Sequence, residues 1–480
     1  ALAEAMSAGA LSDFGRQRTA AAAAATSAAA KGAQLLVARA RLTESSAQRN
    51  LGDLAAAETT GRAAAAIFAS AGDRAGEADA LWVVGTTRFD RGDLPGAKAL
   101  YDQALAVYRE VGDQAGTARV LNSAAVAARQ EGDLAGARAQ YETVLAICRE
   151  IADQGGVAAS LGNLGTVALQ EGHLEGARQQ FEESLALRRQ LPDQAGLASA
   201  LANMGVVLRR LGALAEARKH LEESLALRRR SGQKIASAAS LCGLGRVVLD
   251  LGDLALARGS LAEALTLARE GGSKSVEALA LAATGEVAVV SGDLSAARVA
   301  LEQSLTLRGA IGERLTAAES RLLLANVLLE EGQVSEAMAA LRAARAEFVQ
   351  LGATDLELLT ALLEVRALTV QGETVAARAV VQAARVLAER SQSPPARWAM
   401  RIARAELDGE LAAGRSSARA DLALVSRQAQ AAGFVGLSWE ARLLAAEMAG
   451  VAGRQELTAV AREAEAAGFL LLAGKARRAG

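Results

Sequence analysis

Residues 161–185 read LGNLGTVALQEGHLEGARQQFEESL, and the spacing inside this stretch decides the fold. Leu161, Leu164, Ala168 and Leu169 follow the i, i+3, i+7, i+8 pattern that lines apolar groups along one face of a helix. The pattern predicts a helix A over about 156–170, stopped at Gly172 because glycine accepts the left-handed conformation that a helix C-terminus needs. A second amphipathic helix B follows, with Leu174, Ala177, Phe181 and Leu185 on its inner stripe.

The stretch is one copy of many. Glycine recurs at 52, 92, 132, 172, 212, 252, 292, 332 and 372, a period of forty residues. Alanine keeps the same register from Ala57 to Ala377, and an aliphatic residue follows the glycine by two places from Leu54 to Val334. A fixed period of this length is the signature of a repeat architecture. Asp53, Asp93, Asp133, Asp253 and Asp293 stand directly after the turn glycine, where a carboxylate oxygen can accept from the open N–H groups of helix B. The segment around Pro192-Asp193 turns the chain into the next unit.

Composition excludes several classes of protein. The 480 residues are 51% hydrophobic and only 3% aromatic, with four prolines, which favours long uninterrupted helices built on small side chains. Lys+Arg 53 against Asp+Glu 54 leaves a net charge of -1 and removes the simplest electrostatic case for nucleic acid or anionic membrane as partner. No run of eighteen apolar residues occurs, and the alanine-rich stretch Ala20–Ala30 reads as helix, not as a leader. Two cysteines, Cys148 and Cys242, read as free thiols, and two histidines cannot furnish repeated metal sites. His173 and His220 have no cysteine or carboxylate at nucleophile or metal spacing, and no phosphate-binding glycine loop follows a strand. The expectation is a chain that is not an enzyme and carries no metal and no cofactor.

The pattern Leu161-x-x-Leu164-Gly165-x-x-Ala168, then Ala177-x-x-x-Phe181, resembles the tetratricopeptide repeat, with leucine in place of its usual tryptophan. Leu201-x-x-Met204-Gly205-x-x-Leu208 and Leu241-x-x-Leu244-Gly245-x-x-Val248 repeat it. The period is forty instead of roughly thirty-four, as in arrays of the kinesin light chain type and in bacterial signalling proteins. HEAT and armadillo repeats share the period but not the twelve-residue step from the helix A glycine to the helix B alanine. The resemblance implies an all-α, right-handed superhelical α-solenoid of about eleven antiparallel helix pairs, starting near residues 35, 75, 115, 155, 195, 235, 275, 315, 355, 395 and 434. Small residues at Gly165 and Ala177 would let the two helices approach, while Leu161 and Phe181 fill the space beside them.

Three regions are expected: a partial N-terminal repeat over 1–34, a regular array over 35–390, and divergent repeats with a cap over 391–480. Ser12-Asp13-Phe14 stands forty residues before Gly52-Asp53-Leu54 and reads as the start of a helix B whose own helix A is cut short. That suggests the C-terminal part of a longer protein. The break Ser391-Gln392-Ser393-Pro394-Pro395 opens the divergent end.

The resemblance further implies that the A helices line a concave groove holding an extended peptide or a partner helix. On that groove fall Asn122, Asn163, Thr166, Asn203, Arg246, Glu286 and Asn326, among which asparagine offers both donor and acceptor to a peptide backbone. Gly162, Ala202, Gly243, Ala282 and Val206 occupy the surface where some family members place a basic clamp, so the groove reads as small and apolar. Arg138, Arg178, Arg218, Arg258 and Arg298, with Lys98, form a ladder on the B helices. Glu142, Glu182, Glu222 and Glu302, with Asp102, stand four residues later and would neutralise it. The function expected is a noncatalytic scaffold for protein–protein or intramolecular recognition, cytoplasmic and regulatory. The alternatives are a peptide sensor and a self-assembling structural protein joined through its end repeats.

Overall fold

The computed structural model describes residues 1–10, 13–411 and 413–480; Ser12 lies outside the described residues. The chain divides into two compact units, Ala1–Ser160 and Leu161–Gly480. Both are all-α, and no strand occurs among the described residues.

In the first unit α1 (Leu2–Ala10) and α2 (Phe14–Ala30) precede three A/B pairs. These are α3 (Gln34–Asn50) with α4 (Leu54–Ser70), α5 (Arg74–Asp90) with α6 (Leu94–Val111), and α7 (Gln114–Glu131) with α8 (Leu134–Glu150). Helix α9 (Gln154–Gln170) runs through the division. The second unit continues with α10 (Leu174–Arg188), α11 (Gln194–Leu211), α12 (Leu214–Arg230), α13 (Lys234–Asp250), α14 (Leu254–Glu270), α15 (Lys274–Val290) and α16 (Leu294–Ala310). It then adds α17 (Arg314–Glu330), α18 (Val334–Gln350), α19 (Thr354–Val370), α20 (Thr374–Arg390), α21 (Pro394–Gly409), α22 (Arg415–Ala432) and α23 (Val435–Ala449). A short 3₁₀ turn leads to α24 (Arg454–Ala466) and α25 (Leu470–Ala479). Every expected pair start falls within one residue of an observed helix start, because the turn glycines punctuate the chain so regularly.

The repeat alanine lies in the interior of each pair: Ala57, Ala97, Ala137, Ala177, Ala217, Ala257, Ala297, Ala337 and Ala377 are all fully buried. The helix A glycine plays a different part from the one its spacing suggests. At Gly165 an added Cβ would lie 2.6 Å from the ring of Phe181, and at Gly205 it would lie 2.5 Å from Leu221 and 3.1 Å from the carbonyl oxygen of Ala217. The glycine therefore makes room for the large side chain four places after the alanine and, at Gly205, for the backbone of the alanine as well. Interiors packed to this density tolerate neither a cavity nor an extra methylene.

The turns follow the aspartate rule. Asp53, Asp93, Asp133, Asp253 and Asp293 each accept the backbone N–H three residues on, at 2.8–3.2 Å. The glycine before the cap takes φ 87° at Gly92 and 87° at Gly252, the left-handed region where a Cβ would be strained.

Candidate binding face

The A helices present one face to their B partners and another away from them, and it is this outer face that carries the expected groove residues. Asn122 lies on α7, Asn163 and Thr166 on α9, Asn203 on α11, Arg246 on α13, Glu286 on α15 and Asn326 on α17, all of them half-buried. They do not form one row. Thr166, Arg246, Glu286 and Asn326 share a repeat position, Asn163 and Asn203 share a second, and Asn122 occupies a third, where Trp82 stands one repeat earlier.

Rungs forty residues apart join neighbouring A helices. Arg246 donates to Glu286 at 2.5 Å, so these two predicted residues are brought together as an ion pair. Burial opposes the charge on Arg246, but Glu286 outweighs it and raises the guanidinium pKa. Asn326 accepts from Arg366 at 3.1 Å, and Arg366 also reaches Glu330 at 2.6 Å. Lys475 of α25 closes on the same Glu330 carboxylate at 2.6 Å. Burial works against ionisation of Glu330, yet Arg366 and Lys475 prevail and hold its carboxyl below the usual range. One step along, Arg209 pairs with Asp250 at 2.6 Å, and burial keeps the Asp250 carboxyl high despite its partner.

This wall is thus polar and charged in the second unit, which corrects the reading of a small, apolar groove. Ala282 is fully buried, and a Cβ at Gly243 would lie 2.9 Å from Leu221. Both are packing residues against the B layer. Val206 alone of that set is widely exposed, at 41%.

The first unit carries a well that the sequence reading passed over. It encloses about 460 Å³ between α1, α2, α3, α5 and α7. Apolar Met6, Phe14, Leu42 and Val83 line it with Trp82, and Thr43, Ser46, Asn50 and Gln17 add neutral polar groups. Its aromatic wall is held rigidly. Trp82 Nε1 donates to Ser123 Oγ at 2.9 Å, and the Arg119 guanidinium lies 5.1 Å from the Trp82 ring centre and 5.9 Å from that of Tyr108. Asp79 accepts from both Tyr108 (2.5 Å) and Arg119 (2.9 Å). Burial, then the Asp79 hydrogen bond, drive the Tyr108 hydroxyl far above its ordinary pKa. Asp79 and Arg119 pair with one another, and polar and apolar groups share the lining of this open well. A tryptophan in a chain with only three was the available signal.

The remaining candidates keep to structure. Arg218 pairs with Glu222 at 2.7 Å within its helix, as the ladder reading requires, but Arg298 leaves Glu302 for Glu331 and Gln333 of the next pair. Cys148 and Cys242 are buried and free, and burial pushes the Cys242 thiol up to about 12. His220 is half-buried, and burial lowers its pKa. Among the described residues no cluster of His, Cys, Asp and Glu is arranged to hold a metal ion, and no helix is long and apolar enough to cross a membrane.

Residues 116–190 and 196–270 match the sequence profile of the tetratricopeptide repeat. The chain therefore carries tetratricopeptide repeats, and helix pairs of the same forty-residue period flank the matched stretches. No curated protein matches. Among solved structures, a Rap protein complexed with Competence and Sporulation Factor is 16% identical and superposes with a TM-score of 0.53 over 66% of this chain and 86% of its own. The apo form of the quorum sensor NprR from B. thuringiensis is 15% identical over 66% of this chain and 88% of its own, with a TM-score of 0.48. The apo form of RapI is 16% identical over 57% and 98%, with a TM-score of 0.47. At such identities the first of these likenesses speaks for the fold, an all-α helical repeat.

Proposed function

We propose that this chain is a noncatalytic recognition scaffold whose A-helix face holds a segment of another protein or a peptide. The observation that carries the reading is the Trp82 well: an aromatic fixed by hydrogen bond and cation, beside apolar side chains and a row of hydroxyl and amide groups. Rigid aromatic anchors are where binding energy concentrates, and hydroxyl and amide groups suit a peptide backbone. Asn122 adds a polar group on the A-helix face of the first unit; in the second, Asn163, Thr166 and Asn203 do the same, while Arg246, Glu286 and Asn326 contribute through their rungs. A peptide-sensing role is the second reading, favoured by the structural likeness to a Rap protein complexed with Competence and Sporulation Factor. A place in a larger regulatory protein belongs to the same proposal.

The test is selection of binders from a random peptide library, followed by titration against variants. Trp82→Ala should weaken a selected peptide by roughly thirtyfold or more, the effect of about 2 kcal/mol at an interface hot spot. Asn163→Ala with Asn203→Ala should weaken it without changing helicity. Binding unmoved by all three substitutions would remove the face from the proposal. Light scattering decides against self-assembly if the mass stays constant with concentration.

A further inference from the structure

The turns between A and B helices in the second unit are of two kinds. Asp253 and Asp293 cap their own helices, but His173, Ala213, Gln333 and Glu373 make no side-chain cap. Residues from the far end of the chain meet four of these turns, two capped and two uncapped. Gln392 Oε1 accepts the backbone N–H of Glu175 at 2.9 Å across 217 residues, so it caps α10 in place of His173. Pro394 and Phe434 stand over Gly212, Val435 over Gly252, and Leu470 over Gly292. In return Gly433 packs against Leu214 and Leu251, and Gly468 against Leu254. Three loop tips of the last repeats thus land on turns spaced forty residues apart, so the surface they dock on is itself periodic. The turn that takes Phe434 is Leu211-Gly212-Ala213-Leu214, with apolar residues on both sides of its glycine, and Phe434 is 6% exposed there.

We propose that α21–α25 form a clasp: a body of helices that docks reversibly on the turns at Gly172, Gly212, Gly252 and Gly292 and fixes the spacing of the pairs that carry them. Successive pairs in the array bury whole helix faces against each other. The docked seam instead joins loop tips to turns, through one capping hydrogen bond, the Lys475–Glu330 ion pair and apolar side chains such as Phe434 and Phe469 that run on into the core of the middle repeats. Contacts in such an array act only between neighbours, so a second set of contacts that skips several repeats is what removes its freedom to bend. The clasp stands independently of any ligand on the A-helix face.

Hydrogen exchange read by mass spectrometry on the full chain tests this. In Gln392→Ala/Lys475→Ala, which alters only polar contacts, amides at the four turns should exchange at least tenfold faster, while the interior of α13 keeps its protection. Phe434→Ala should do the same at Gly212 and Gly252, and the radius of gyration from small-angle scattering should grow in both variants. Unchanged exchange at all four turns in both variants would overturn the proposal. So would acceleration spread equally through α13, because the last repeats would then be one cooperative core with the turns.

Discussion

The two units are cut from the same forty-residue pattern yet cover their turns and their outer faces differently. In the first unit Asp53, Asp93 and Asp133 cap every A–B turn, and Leu51 beside the first of them is left 46% exposed. In the second, only Asp253 and Asp293 cap an A–B turn, His173, Ala213, Gln333 and Glu373 do not, and the last repeats sit on the turns at Gly172, Gly212, Gly252 and Gly292. Rungs tie the A helices of both units, Arg49–Asp90 and Arg119–Asp79 in the first and Arg209–Asp250, Arg246–Glu286 and the group around Glu330 in the second, but the first also opens a well around Trp82. Positions inside the helix pair are uniform because they must meet the same neighbour each time. Positions outside it diverge because each unit gives them different neighbours. A repeat therefore specifies its hairpin strictly and its role loosely.

The strongest challenge to uniform hairpins comes from their tight glycines. Leucine at Gly205 should cost about 1–3 kcal/mol or more by overpacking against Leu221 and the Ala217 carbonyl, and leucine at Gly85 should cost a similar amount against Tyr101. Gly176 has open space around its Cβ position, so Gly176→Leu should leave stability unchanged or slightly raised. Urea unfolding midpoints of the three variants measure this; equal effects at Gly176 and Gly205 would break the close-packing argument. A smaller contrast separates the two kinds of turn. Asp133→Ala should cost about 1 kcal/mol through the lost cap, while His173→Ala should stay within about 0.5 kcal/mol because Gln392 supplies that hydrogen bond. Equal losses would show that His173 stabilises its turn in a way its geometry does not reveal.

This contrast also marks what was legible in the sequence. The hairpins were legible to within a residue, since Gly172, Leu161 and Phe181 act on neighbours less than thirty positions away and recur in register. The aspartate caps were legible for the same reason. The wall opposite was not: Arg246 and Glu286 were read as separate groove residues, although a forty-residue offset puts them on one rung. Gly243 and Ala282 look like groove lining in a one-dimensional pattern, and only the third dimension turns them toward the B layer. The Trp82 well depends on Ser123 and Arg119 from another repeat, which no single-repeat motif records. The docking of the last repeats spans more than two hundred residues. The missing aspartate is no trace of it, since the cap is absent at His173 and Ala213, which are docked on, and equally at Gln333 and Glu373, which are not.

Acid offers the finest probe of the difference between tying and docking. The Glu330 carboxyl is held below its ordinary pKa by Arg366 and Lys475 against the pull of burial, so the folded state binds its proton later than the unfolded chain does. Its contribution to stability is then complete above the unfolded value of about 4.3 and is lost as pH falls through the lower folded value. The Asp250 carboxyl behaves in the opposite sense. Burial raises its pKa despite Arg209, so mild acid relieves a cost there instead of removing a support. Lowering the pH from about 5 to 3 should accordingly loosen the α25 contact, whereas protonating Asp250 should leave the C-terminal end of α13 no less protected. Hydrogen exchange at α25 and at the C-terminal end of α13, measured across that range, follows the two events separately. In Glu330→Gln the acid step at α25 should vanish, and its persistence would assign that step to another carboxylate. The candidate is Glu440, which interacts with both Lys475 and Glu330 and whose carboxyl burial raises against the pull of Lys475 and Arg366, so its titration lies higher.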